Sequence, residues 1–226
     1  MYQNETKASG AFASFWYHAG HSEVVCLECG RENVEAPKLI SPKRAHRILE
    51  KHADWIETVS ARYGVPSAAM KAVFFQEMTL MDVMDPIADF VAFTGVFPKK
   101  DSSTGIAQIF GYVGLNAANF AVDRGLATYE SLGISAKRRL DPSNQADVRF
   151  MWRLLHHDAH ANIEIATLNL LAAADEMVGR LDFETFSPEE LKLVFTRYNA
   201  DVKYITPYGE RAYEYYLQFR EEASRG

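Results

Sequence analysis

The chain of 226 residues contains no run of about 18 apolar residues, so no membrane-spanning helix is expected. Its opening Met-Tyr-Gln-Asn-Glu-Thr-Lys lacks a basic start followed by an apolar stretch, so no signal peptide is expected either. Basic residues (24) are fewer than acidic ones (30) and form no cluster, and a net charge of −6 argues against a nucleic-acid partner. Alternating apolar and polar runs of convincing length are missing, as are internal repeats and low-complexity tracts. Hydrophobic residues at 48% and charged residues at 24% are ordinary globular values, which excludes global disorder.

Cysteine is almost absent. The two that occur, Cys26 and Cys29, form a Cys-x-x-Cys pair with His18 and His21 just upstream. Two thiolates and two imidazoles in a dozen residues could hold a structural zinc in tetrahedral geometry. A disulfide or a reduced pair are the alternatives. A thioredoxin-like redox role would need a surrounding strand–helix unit that the sequence does not suggest.

What is present is mainly helical. Residues 1–40 read as an irregular N-terminal arm, with Gly10, Gly20, Gly30 and Pro37 and no sustained period. From 41 to 226 the pattern is that of one helical domain. Ser41 is the expected N-cap of a helix carrying Ile48, Leu49, Trp55, Ile56 and Val59, with Pro42 at its first position and Gly64 at its end. A second helix follows Pro66 and carries Met70, Val73, Phe74, Glu77 and Met78 on one side. The segment 82–100 reads as loop or short helices. One long helix is expected from Asp141 to about Val178, a capping box at Ser187-Pro-Glu-Glu190 opens another, and Thr206-Pro-Tyr-Gly starts the last.

Three patterns carry candidate chemistry. Glu77 ends the apolar run Lys71-Ala-Val-Phe-Phe-Gln-Glu77, a setting that disfavours a charged carboxylate. Ser103-Thr-Gly105-Ile-Ala-Gln108 reads as a turn entering a short helix. Its Gly105 permits close backbone approach, and its Gln108 offers both a donor and an acceptor. Tyr198-Asn199 and Thr206-Pro-Tyr208 follow downstream. His156 and His160 are spaced one turn apart on the expected long helix, where a solvated outer face is commoner than a metal site. No glutamate stands in the H-E-x-x-H position, so a zinc-protease reading fails.

The ordered set Glu77, Ser103-x-Gly105-x-x-Gln108, Asn162-Ile163, Tyr198-Asn199 and Tyr208 resembles the lysozyme-like lytic transglycosylases and goose-type lysozymes. The resemblance implies a mainly α, lysozyme-like catalytic domain over 41–226. It also implies cleavage of the β-1,4 bond between N-acetylmuramic acid and N-acetylglucosamine in peptidoglycan, with no cofactor needed for catalysis. Glu77 would be the general acid and then the base. Ser103, Gly105, Gln108, Tyr198, Asn199 and Tyr208 would contact substrate, and Asn162 would be architectural. Asp101, close to where goose-type lysozymes place an aspartate, would hold the water of a muramidase. A lytic transglycosylase would dispense with it, as it would with the weaker candidates Asp82, Asp85 and Asp89. The expected partners are glycan strands and, for a delivered antibacterial enzyme, an inhibitor protein or secretion machinery. The expected setting is the periplasm or a target-cell wall, reached without a signal peptide. A non-catalytic glycan- or partner-binding protein on the same scaffold is the alternative.

Overall fold

A computed structural model describes residues 38–81 and 103–225, and these are mainly α-helical. The metal-ligand candidates His18, His21, Cys26 and Cys29, and the acid candidates Asp82, Asp85, Asp89 and Asp101, lie outside the described residues.

Helix α1 (Pro42–Lys51) begins where expected: the Ser41 hydroxyl accepts from the amide of Arg44, and Pro42 takes the first position. The single helix expected up to Gly64 is instead two, because the chain breaks at His52 and restarts as α2 (Ala53–Tyr63). The break follows from what each half buries. Helix α1 buries Ala45 and Leu49 and packs on α3 (Ser67–Leu80), whereas α2 buries Ile56 and Val59 and packs on α6 (Ala159–Val178) as well as on α3. Gly64 closes α2 in the left-handed region at φ 68°.

The Ser103–Gln108 segment does not lead into a short helix. It closes an antiparallel hairpin of β1 (Ser103–Thr104) and β2 (Ile109–Phe110), with Ser103 opposite Phe110 and Thr104 opposite Ile109. Helix α4 (Gly111–Asp123) follows directly. Its periodicity is hard to see in the sequence because Gly111 and Gly114 are poor helix formers. Gly114 is there for packing: a Cβ would come within 2.8 Å of Leu155 and 3.2 Å of Ile165.

The long helix expected over 141–178 is also two, α5 (Gln145–His157) and α6, with Asp158 between them. The Asp158 carboxylate accepts from the amides of His160 and Ala161 at 2.9 and 3.0 Å, so it is the N-cap of α6. His156 and His160 therefore sit on different helices. His156 stacks on Trp152 and shares a 2.7 Å hydrogen bond with Thr104, while His160 stacks on Trp55.

Helix α6 is apolar around most of its surface, as a central helix should be. It is flanked by α2, α4, α5 and α7 (Pro188–Asn199). Ser187 and Glu190 form the expected capping box of α7. Helix α8 (Pro207–Arg225) lies along α3 and α7. One cluster of buried apolar side chains runs through the eight α-helices of the described residues. None of the described helices is long and apolar enough to cross a membrane.

Candidate functional site

Helix α3 is buried over most of its length, through Met70, Val73, Phe74, Phe75 and Met78. Glu77 stands half-buried in its last turn. Its carboxyl meets the first turn of α8, where the Tyr208 hydroxyl donates to Oε1 at 2.5 Å. The preceding side chain, Gln76, donates through Nε2 to the Tyr208 carbonyl at 3.1 Å. Two successive residues of α3 thus hold one tyrosine by its backbone and by its phenol.

The hairpin turn lies beside Glu77 and is fixed from inside. Gly105 has φ 75°, and a Cβ there would fall 2.2 Å from Nδ2 of Asn162. Only glycine meets both demands. The Asn162 side chain, fully buried on α6, donates to the carbonyls of Thr104 and Leu155 at 3.0 and 3.2 Å and accepts from the amide of Ala107 at 2.9 Å. Tyr198 on α7 donates to the Ala107 carbonyl at 2.8 Å. Gln108 has φ 44°, an uncommon value for a residue with a Cβ. Its amide secures that conformation by donating to the Gly105 carbonyl at 2.7 Å and accepting from the Ser103 hydroxyl at 3.3 Å.

These elements enclose a pocket of about 190 Å³. Glu77, Ser103, Gln108, Tyr198 and Asn199, all singled out in the sequence, face it together. Gly105 does not. It lies across the hairpin, on a neighbouring pocket of about 360 Å³ that also touches Met78, Thr104, His156 and Gln108. Tyr208 stands behind Glu77 rather than on the pocket wall. Among the described residues of that wall, Glu77 is the sole carboxylic acid, and lysine, arginine and histidine are absent.

Two wall features have no counterpart in the sequence reading. Asn169 interrupts the run Leu168-Asn-Leu-Leu171, and its buried neighbours Leu168 and Leu170 turn it half-exposed into the pocket. A polar side chain inside an apolar helical run was the available signal. Phe110 and Tyr112 form an exposed aromatic pair with centroids 5.9 Å apart at the mouth.

The electrostatics favour protonated phenols. Burial, and then the charge of Glu77, push the hydroxyls of Tyr198 and Tyr208 well above the ordinary phenol range. For Tyr208 the hydrogen bond to Glu77 adds to the same effect. Both groups are thus donors at neutral pH: Tyr208 to the carboxyl, Tyr198 to the turn. Among the described residues no group of three His, Cys, Asp or Glu side chains could hold a metal. The chain matches no family model, no curated protein and no solved structure.

Proposed function

We propose that the protein cuts peptidoglycan glycan strands on a lysozyme-like scaffold, with Glu77 as the acid. The observation that carries this reading is convergence. Side chains from the hairpin, α4, α6 and α7 line one pocket with the half-buried carboxyl of α3, and a phenol from α8 bonds to that carboxyl. Of these, Glu77, Ser103, Gln108, Tyr198, Asn199 and Tyr208 are positions that the resemblance to lytic transglycosylases and goose-type lysozymes marks.

Glu77 delivers its proton to the bridging oxygen as the C1–O bond of the muramic acid residue breaks. The substrate's own acetamido oxygen bonds to C1 and shields the developing positive charge. In a transglycosylase the C6 hydroxyl then displaces it, and Glu77 recovers a proton from that hydroxyl, leaving a 1,6-anhydro end. In an inverting muramidase the acetamido group takes no part: Asp101 is the residue to hold a water and take its proton as that water attacks C1 from the face opposite the leaving oxygen. Gln108, Ser103, Asn199 and Asn169 meet the sugar's hydroxyl and acetamido groups, and Phe110 and Tyr112 offer a flat face to a ring. The work would be done in the periplasm or on a target-cell wall.

Digestion of purified peptidoglycan, read by mass spectrometry, tests the proposal. Wild type should release muropeptides: 1,6-anhydro ends, lighter by one water, mark a transglycosylase, and reducing ends mark a muramidase. Glu77→Gln keeps the shape and should lower release by at least about a thousandfold. Full release by Glu77→Gln refutes the assignment. Wall binding by wild type without any product would leave the non-catalytic reading in its place.

A further inference from the structure

Gln76 takes no part in the chemistry above, and packing does not account for it. It is 2% exposed on a helix whose neighbouring buried residues Ala72, Val73, Phe75 and Met78 are apolar. Its Nε2 reaches the Tyr208 carbonyl, but its Oε1 is sealed from solvent and accepts from no described residue. A buried acceptor without a donor lowers stability, and an unbranched apolar side chain of the same length would remove that defect. What the amide does accomplish is to fix one point of the backbone of α8.

That point matters because the first turn of α8 is otherwise secured from the α7 side. The amide of Thr206 donates to the Thr196 hydroxyl at 3.1 Å, and Gly209 lies so close to α7 that a Cβ would fall 2.1 Å from the same hydroxyl. Towards α3 the hydrogen bonds among the described residues are those of Gln76 and Glu77. With its carbonyl fixed by Gln76, the tyrosine has only its two side-chain torsions left to choose, and staggered preferences limit these. We infer that Gln76 is a positioning residue: it locks the backbone of Tyr208 so that the phenol meets the Glu77 carboxyl in one orientation. Its effect on rate rests on the reading of Glu77 as the acid; its effect on the Tyr208–Glu77 contact does not.

The test compares wild type, Gln76→Met, Tyr208→Phe and the double variant. Gln76→Met should melt at the same temperature as wild type or higher, while kcat on peptidoglycan falls roughly ten- to a hundredfold at unchanged KM. The double variant should be no slower than Tyr208→Phe, because both changes act through one contact. An NMR titration of the Glu77 side-chain carboxyl supplies a readout independent of turnover. Loss of the phenol donor should move it to higher pH in Tyr208→Phe, and Gln76→Met should move it in the same direction. Gln76→Leu stands in if Gln76→Met does not fold. A carboxyl titration left unmoved by the Gln76 change, or rate losses that multiply in the double variant, overturns the inference. If wild type cuts no peptidoglycan, the glycosidase reading falls and the titration still decides the role of Gln76.

Discussion

At the scale of single residues, the turn beside Glu77 depends on one glycine and one asparagine. Gly105→Ala forces a Cβ into a left-handed backbone and into the Asn162 amide. The expected cost is at least about 2 kcal/mol, read by urea unfolding. Asn162→Ala removes the partners of the buried Ala107 amide and Thr104 carbonyl and should cost about 2–4 kcal/mol. Legibility at this scale was mixed. Gly105 and Gln108 stand out in the sequence as a turn motif, yet Gly105 serves the inside of the hairpin and not the pocket. Gln108 does face the pocket, though its amide already bonds within the turn. Sequence spacing marks a turn without telling which of its faces meets a ligand.

At the scale of elements, helix starts were readable and helix breaks were not. Ser41 and Ser187 announce themselves because each is followed by proline and then a run of helix formers. His52 and Asp158 fall where apolar spacing continues across the break, so periodicity alone joins the two halves. Asp158 was nonetheless a signal, since aspartate is a poor interior residue and a good cap. Asp158→Ala should destabilise the fold by about 1 kcal/mol. In a protein of this size that lowers the melting midpoint by about 2–4 °C, measurable by calorimetry. The same change should loosen the junction that sets His156 against Thr104, one wall of the hairpin.

At the scale of the whole molecule, the buried phenols set its alkaline limit. Burial first, and then the hydrogen bond to Glu164, push Tyr63 up to about 12; burial first, and then the charge of Glu77, push Tyr198 and Tyr208 well above the ordinary phenol range. Each phenol holds its proton more tightly folded than unfolded. Its contribution to stability is therefore complete below about pH 10, the unfolded value, and is lost as pH rises through the folded values. Stability measured by urea unfolding should decline above about pH 10, and Tyr63→Phe should flatten that decline near its onset. Absorbance at alkaline pH should show these three tyrosines ionising only well above pH 10, together with loss of helix. The mainly α character was legible from periodicity, and Ser103, Gln108, Tyr198 and Asn199 beside Glu77 stood out as motifs, whereas Asn169, Phe110 and Tyr112 did not. Their assembly was not legible, because it depends on contacts such as those of Tyr208 with Gln76 and Glu77, 132 and 131 residues away in the chain. That separation has a consequence during synthesis. A nascent chain that has released everything through α7 still lacks the Tyr208 phenol, so the ribosome must deliver α8 before that hydroxyl can reach the Glu77 carboxyl. On the proposed reading, competence to cut could not precede the release of α8.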